Sequence, residues 1–239
     1  MEIYRISPIR DLLKNNTYPG RGIIIGKTAD GTRALAAYFI MGRSANSRNR
    51  VFTEKDGEVF TEPFDASKVQ DPSLIIYAAL RQYENNLIVT NGNQTDTVYD
   101  GLKMGLSFNK SLERREFEPD APNFTPRISG MLTFGEGDFT YQMSILKSVD
   151  EQGSACARYG FSYPAVNGLG HFIHTYVCDG NPIPTFQGEP ERVAIGNDID
   201  EITGEIWDAL NEDNKISLYV RTVNLTDGKT ESRLVNKNQ

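Results

Sequence analysis

The chain has 239 residues, of which 38% are hydrophobic and 24% charged, and its formal net charge is −7. This composition supports a packed core, argues against disorder, and argues against nucleic-acid binding, which needs a broad basic face. No apolar run approaches the ~20 residues of a membrane-spanning helix, and residues 1–16 lack the apolar core of a secretory signal. We therefore expect a cytoplasmic protein that binds neither nucleic acid nor membrane.

The first part of the chain reads mainly as strands joined by tight turns. A short helical turn is predicted near residues 9–14, and two Asp-Gly pairs, at 30–31 and 56–57, are typical of hairpin turns. Apolar or alternating stretches flank these turns. The predicted strands of this part are residues 22–26, 33–41, 51–53, 58–61, 73–82 and 87–90.

The remainder of the chain contains the predicted helices. They cover residues 95–107, capped by Asn93 or Thr95, residues 111–117, capped by Ser111, and residues 198–210, capped by Asp198. The predicted strands of this part are residues 127–134, 139–147, 155–163, 171–177, 216–223 and 232–235. Many strands with few helices indicate one α+β domain with antiparallel sheets over residues 1–239, of which residues 1–17 form an N-terminal extension.

A cluster of arginines lies in residues 41–50, MGRSANSRNR, which contain Arg43, Arg48 and Arg50 and no acidic residue. Arginine suits phosphate because its planar fork of donors binds two oxygens at once. The cluster follows a strongly apolar run, and loops at the ends of buried strands are common positions for sites. An anion-binding loop is therefore one interpretation, and an exposed basic loop is the other.

Residues 90–97, TNGNQTDT, lie where a predicted strand ends and a helix begins. A helix N-terminus presents free backbone N–H groups and a positive dipole end, which favour an anion. Thr95 and Asp96 would be the polar residues nearest to such a site. An ordinary capped turn explains the same residues.

Residues 116–127, EFEPDAPNFTPR, form a proline-stiffened acidic segment that contains Glu116, Glu118 and Asp120 and ends at Arg127. A fixed carboxylate that faces an arginine can act as a base or accept hydrogen bonds from a substrate. An exposed acidic loop is the alternative.

The other reactive side chains give no known catalytic pattern. His171 and His174 are three residues apart, which places them on opposite faces of a strand. Cys156 and Cys178 have no CxxC spacing and are interpreted as core thiols. Neither metal-ligand spacing nor a GxSxG, Walker or GxGxxG motif occurs in the sequence.

Four segments together resemble one known family. They are YPGRGIIIG at 18–26, the GRS…NR pattern at 42–50, NG-x-x-TDT at 91–97 and FEPDAPNFTPRI at 117–128. Their order and spacing are similar to those of the archaeal-type IMP cyclohydrolases over roughly residues 18–135.

The resemblance implies a four-layer αββα sandwich of antiparallel sheets, like that of N-terminal-nucleophile hydrolases but without the nucleophile. It implies ring closure of 5-formamidoimidazole-4-carboxamide ribotide to inosine monophosphate, the last step of purine synthesis, with no metal and no redox cofactor. It also implies catalytic roles for Tyr77, Glu118 and Arg50. The implied substrate-binding residues are Arg21, Arg43, Asn49, Asn91, Thr95, Asp96 and Arg127.

Two other functions stay open at this level. One is an amidohydrolase that uses an N-terminal nucleophile, and the other is a purine-nucleotide binding protein without catalytic activity. The sequence also leaves open whether the chain forms a homo-oligomer.

Overall fold

A computed structural model of the protein describes residues 3–69 and 76–238. The helices are α1 (Ile9–Leu13), α2 (Ala45–Arg48), α3 (Gln94–Lys103), α4 (Phe108–Leu112) and α5 (Ile199–Ala209). The strands are β1 (Arg21–Lys27), β2 (Arg33–Met41), β3 (Val51–Lys55), β4 (Glu58–Glu62), β5 (Tyr77–Tyr83), β6 (Asn86–Thr90), β7 (Arg127–Phe134), β8 (Phe139–Ser148), β9 (Cys156–Pro164), β10 (Leu169–His174), β11 (Glu191–Ala194), β12 (Lys215–Asn224) and β13 (Thr230–Asn236).

The strands form two antiparallel sheets. The first has the order β11-β10-β1-β2-β12-β13, and the second has the order β3-β4-β5-β6-β7-β8-β9. The second sheet follows the chain strand by strand, and the connection from β6 to β7 contains α3 and α4. At the β3–β4 hairpin, Asp56 and Gly57 both have positive φ, 53° and 77°, which is the geometry that Asp-Gly favours in such turns.

The sheets face each other, and helices cover their outer faces. Ile23 and Tyr38 of the first sheet share one apolar cluster with Val89 and Leu132 of the second. A second cluster joins α1 and α5 to the outer face of the first sheet, and a third joins α3 and α4 to the outer face of the second. The order of layers is therefore helix, sheet, sheet, helix, and the helices bury apolar side chains on the outer face of each sheet.

The predicted α+β fold with antiparallel sheets is confirmed. The detailed likeness to N-terminal-nucleophile hydrolases stays a prediction. Ile9 and Leu13 of the N-terminal extension are buried against α5 in the outer cluster, so this extension is packed onto the fold. Within residues 3–69 and 76–238, no helix has the length and apolar character needed to cross a bilayer.

Several predicted boundaries are wrong. The helix predicted over residues 95–107 ends at Lys103, because Gly105 has a positive φ of 75° and interrupts the pattern. The helix predicted over residues 111–117 is α4 instead, and its cap is Ser107, whose side chain accepts a hydrogen bond from the Lys110 N–H.

The strand predictions differ from the structure mainly at strand ends and at one short edge strand. The strand predicted over residues 171–177 ends at His174, and the short edge strand β11 was not predicted. The strand predicted over residues 73–82 is β5 from Tyr77 onward, and residues 73–75 lie outside the described residues.

Candidate active site

A cavity of about 250 Å³ lies where β1 begins and where the loop after β2 leads into β3. It is therefore bordered by strand ends of both sheets. The polar side chains that line it come from four separate parts of the chain and include Arg21, Arg43, Asn46, Arg50, Glu118, Asp120, Thr125 and Tyr176.

Two arginines and one glutamate are buried at this cavity. Arg21 is 8% exposed, and Arg50 and Glu118 are each 5% exposed. The Nε atoms of both arginines are buried and have no hydrogen-bond partner among the described residues. Because a buried donor without a partner is costly, these two atoms indicate a place where a ligand can accept hydrogen bonds.

The charges of these three side chains act on one another. Burial opposes the charge of Arg21, but the nearby Glu118 carboxylate raises the pKa of Arg21 above its ordinary value. Burial, followed by repulsion from Arg21, lowers the pKa of Arg50. Burial raises the pKa of Glu118 even though the neighbouring Arg21 and Arg127 act in the opposite direction. A carboxyl group whose pKa is raised in this way is suited to donating a proton.

The chain before β1 is shaped by a glycine. Gly20 has a φ of 81°, and a Cβ atom at this position would lie 2.1 Å from the Thr175 Oγ1 and 2.5 Å from the Tyr176 ring. No other residue type fits so close an approach. Gly20 thereby brings the start of β1, and with it Arg21, against the segment that carries Tyr176.

The arginine cluster between β2 and β3 is organised by the short helix α2. Ser44 caps this helix, and its side chain and that of Ser47 form a reciprocal capping box. Arg43 lies at the mouth of the cavity, where it pairs with Asp179 and has its guanidinium 5.1 Å from the centre of the Tyr18 ring. Arg50 is buried rather than exposed, so the interpretation of this segment as an exposed basic loop is wrong for Arg50.

Tyr77 lies near Arg21 and Arg50 but does not line the cavity. Its hydroxyl oxygen is 2.9 Å from that of Tyr38, and its side chain is close enough to affect the pKa of Arg21 and of Arg50. Burial, and then Tyr77 itself, raise the pKa of Tyr38 well above its ordinary value. The catalytic role of Tyr77 stays a prediction.

Arg127 is close to Glu118 but is not among the residues that line the cavity. Its Nη1 donates to the Gln94 Oε1 at 2.9 Å and lies 3.9 Å from the Glu118 Oε1. The Arg127 charge acts to lower the pKa of Glu118, against the effect of burial. The substrate-binding role of Arg127 stays a prediction.

The structure does not bring the four remaining predicted binding residues to the cavity. Asn49 bonds to the backbone of Asp65, and Asn91 donates to the Pro126 carbonyl and accepts from the Ile128 N–H at the start of β7. The Thr95 hydroxyl is 2.7 Å from that of Thr90, and Asp96 pairs with Arg81. These contacts hold loops in place, and the binding roles of Asn49, Asn91, Thr95 and Asp96 stay predictions.

Sequence reasoning missed several residues of the cavity. Asp120 belongs to the acidic segment that the sequence singled out, but Thr125 of the same segment was not considered. Tyr176 and Tyr18 line the cavity as well, and their rings stack at a centroid distance of 5.7 Å. Tyr176 lies far along the chain in a segment without a motif, so no sequence signal pointed to it.

The histidines and cysteines lie outside this cavity. His171 bonds through Nδ1 to the Tyr141 hydroxyl at 2.6 Å between the sheets, whereas His174 stacks on Phe172, so the predicted opposite faces are confirmed. Cys178 is exposed, and the prediction of a core thiol is wrong for it. Within residues 3–69 and 76–238, no three His, Cys, Asp or Glu side chains form a group that could hold a metal ion.

The fold and the cavity define an α+β sandwich protein whose site, at the ends of both sheets, combines buried arginines with a glutamate. The profile of the family described as IMP cyclohydrolase-like protein matches residues 18–229. The chain therefore belongs to the IMP cyclohydrolase-like family.

Several archaeal proteins named IMP cyclohydrolase are similar to the chain. The protein of Methanopyrus kandleri is 30% identical over 154 residues, which are 60% of this chain and 75% of that protein. The protein of Methanococcus aeolicus is 27% identical over 165 residues, or 67% of this chain and 75% of that protein. A Methanococcus maripaludis protein is 32% identical over 120 residues, or 48% of this chain and 58% of that protein.

Proposed function

We propose that the protein is an IMP cyclohydrolase, which closes 5-formamidoimidazole-4-carboxamide ribotide to inosine monophosphate in the last step of purine synthesis. The names of the family and of the archaeal relatives support this reaction. The observation that carries the proposal is the buried Arg21–Glu118–Arg50 group, whose two Nε atoms lack partners within the described residues.

The chemistry of the closure sets what the site must supply. The carboxamide nitrogen attacks the formyl carbon and loses one proton, and the former formamido nitrogen loses its proton when the formyl oxygen leaves as water. The amide is a weak nucleophile, so holding it against the carbon contributes much of the rate. The oxygen gains negative charge as the bond forms, and hydrogen-bond donors that are already in place stabilise it.

Arg21 and Arg50 are suited to the oxygen that gains charge. Both are buried, and a buried donor interacts more strongly with an anionic oxygen than an exposed one does. Glu118 then protonates the departing oxygen, because burial raises its pKa and favours the acid form.

Arg43 is suited to the phosphate of the ribotide. It lies at the mouth of the cavity and is more exposed than the two buried arginines, so a strongly hydrated dianion reaches it without entering the interior. Its present partner Asp179 is also partly exposed and is easily replaced by a phosphate.

Two further parts of the proposal concern the whole chain. We propose that residues 1–239 act as one domain, which is supported by the burial of Ile9 and Leu13 against α5. We also propose that the protein acts in the cytoplasm, and its acidic composition and two free cysteines agree with this location.

The test is to mix the purified protein with the formamido ribotide and to follow inosine monophosphate by absorbance. We expect a rate well above that of uncatalysed closure, and a rate equal to it would overturn the proposal. Thermal stabilisation by inosine monophosphate without turnover would instead support a binding protein, with about 2.7 kcal/mol expected at 100 times the Kd. Mass spectrometry of the purified protein that shows cleavage to a new N-terminal Thr, Ser or Cys would support the amidohydrolase.

A further inference from the structure

We propose that Tyr176, Thr125 and Asp120 form a proton relay that acts as the general base of the ring closure, with Tyr176 as the catalytic residue that touches the substrate. This inference rests on the proposed function. It adds a base to a site in which Glu118 serves as the acid, and it assigns a role to three residues that line the same cavity.

The three side chains form a continuous line of short hydrogen bonds. The Thr125 Oγ1 is 2.5 Å from the Asp120 Oδ2 and 2.6 Å from the Tyr176 hydroxyl oxygen. The backbone N–H of Thr125 also donates to the Asp120 Oδ1 at 2.6 Å. Both carboxylate oxygens of Asp120 are therefore directed at one residue, Thr125.

The direction of these hydrogen bonds follows from the donors that are present. An ionised carboxylate only accepts, so the Thr125 hydroxyl must donate its single hydrogen to Asp120. Thr125 then has only lone pairs to offer to Tyr176, so the Tyr176 hydroxyl donates to Thr125. The lone pairs of the Tyr176 oxygen are left to accept a proton from a ligand.

The surroundings hold this line of hydrogen bonds in place. Thr125 and Tyr176 are each 1% exposed, so water does not compete for their hydroxyl groups. The Tyr176 ring stacks on Tyr18 and packs where Gly20 leaves room for it. Burial raises the pKa of Tyr176 to about 12, while the nearby Arg21 acts to lower it, so the phenol is protonated at rest.

The proposed transfer conserves protons at each step. As the carboxamide nitrogen bonds to the formyl carbon, its proton moves to the Tyr176 oxygen. The Tyr176 proton moves to the Thr125 Oγ1, and the Thr125 proton moves to the Asp120 Oδ2. No tyrosinate forms, and the negative charge passes from Asp120 to the oxygen bound by Arg21 and Arg50. This oxygen then takes one proton from Glu118 and one from Asp120 back along the relay, and it leaves as water. The former formamido nitrogen gives its proton to Glu118, so both carboxyl groups return to their starting states.

Two carboxyl groups thereby have opposite roles. Glu118 lies between arginines with a pKa raised by burial and acts as the acid, and the Asp120 charge is among the causes of that raised pKa. Asp120 is less buried than Glu118, and both of its carboxylate oxygens accept hydrogen bonds from Thr125, so they are placed to receive the proton that the relay delivers.

The decisive comparison is between Thr125→Val and Thr125→Ser. Valine keeps the shape of threonine but breaks the relay, and serine keeps the hydroxyl. We expect kcat to fall about 100-fold in Thr125→Val with KM changed only a few-fold, and we expect Thr125→Ser to recover most of the lost rate. Thr203→Val is the matched control, because Thr203 is also buried and its hydroxyl bonds to the Ile199 carbonyl on α5, away from the cavity.

A proton inventory separates a relay from a structural role. In mixtures of H2O and D2O, several protons in transfer give a curved dependence of kcat on deuterium fraction for the wild type, and the residual rate of Thr125→Val gives a straight line. Tyr176→Phe is the second variant, with the same loss expected, should Thr125→Val fail to fold.

Some results would overturn the relay. It is wrong if folded Thr125→Val and Tyr176→Phe keep more than half of the wild-type kcat, or if Thr125→Ser binds inosine monophosphate normally but stays as slow as the valine variant. Absence of turnover in the wild type would overturn the proposed function itself. Wild-type turnover that is unchanged by substitution of Thr125 would overturn only the relay.

Discussion

The hydroxyl oxygens of Tyr38 and Tyr77 lie 2.9 Å apart between the two sheets, and Tyr38 is only 1% exposed. Tyr38 is on the first sheet and Tyr77 is on the second, so this hydrogen bond joins the sheets directly behind the cavity. It holds the Tyr77 hydroxyl in place, near enough to Arg21 and Arg50 to affect their pKa values.

Tyr77→Phe is expected to lower kcat by about 10²-fold or more if Tyr77 handles a proton, because general acid–base catalysis contributes that much. KM should change less than kcat, since the ring is kept. The control is Tyr141→Phe, which also loses a buried hydroxyl bond, to His171, but lies away from the cavity. The measurement is steady-state kinetics of both variants, and a normal kcat in folded Tyr77→Phe would contradict a proton-handling role for Tyr77.

Arg50→Met is expected to reduce kcat/KM by at least about tenfold, because a hydrogen bond to a charged partner is worth about 1.5–3 kcal/mol. The free energy of unfolding should stay equal or rise, since the change removes a buried cation that is repelled by Arg21. Arg48→Met is the matched control from the same cluster, because Arg48 is exposed and bonds to Asn214. Normal kinetics in folded Arg50→Met would remove Arg50 from the site.

The pKa of Glu118 is raised from about 4.5 by burial, which predicts how kcat depends on pH. The acid form is present below the raised pKa and is lost as pH rises through it, so kcat should fall on that alkaline side. Glu118→Gln should have a lower kcat, and its kcat should not show this fall at alkaline pH. The measurement is kcat against pH for both proteins. If kcat of Glu118→Gln falls over the same pH range as in the wild type, another group is the general acid.

His171 gives the protein an acid-sensitive stability. Burial lowers its pKa from 6.5 to about 4, so the folded state binds fewer protons than the unfolded state between these values. The contribution of neutral His171 to the free energy of unfolding is fully present above pH 6.5 and is lost as pH falls toward 4. The loss amounts to at most about 3 kcal/mol. Urea unfolding at several pH values should show a shallower loss in His171→Gln, and parallel losses in the two proteins would contradict the prediction.

The fold was largely predictable because its strands and turns carry local signals. The Asp-Gly turn at 56–57 and the continuous apolar runs of β1 and β2 are properties of neighbouring residues. The boundary between α3 and α4 was not predictable, because the apolar pattern continues through Gly105 and the stop depends on its positive φ. Local patterns set the elements, and backbone geometry sets where they end.

The site was only partly predictable from the sequence. The motif segments contain Arg21, Arg50 and Glu118, and the fold brings these three together at the cavity. The burial of Arg50 and the line of hydrogen bonds from Tyr176 to Asp120 depend on contacts between distant parts of the chain. Such contacts do not affect the spacing of residues along the sequence. The sequence therefore predicted neither the burial of Arg50 nor the place of Tyr176 in the cavity.

The two cysteines differ in exposure, and therefore in how readily they react with a thiol-specific dye. Cys178 is exposed and precedes Asp179, the partner of Arg43 at the mouth of the cavity, whereas Cys156 is half-buried and burial raises the pKa of its thiol. A thiolate is the reactive form, so an environment-sensitive dye reacts first at Cys178. The unmutated chain thus offers a preferred labelling position beside the entrance, and we expect the emission of a dye at Cys178 to change when a nucleotide binds.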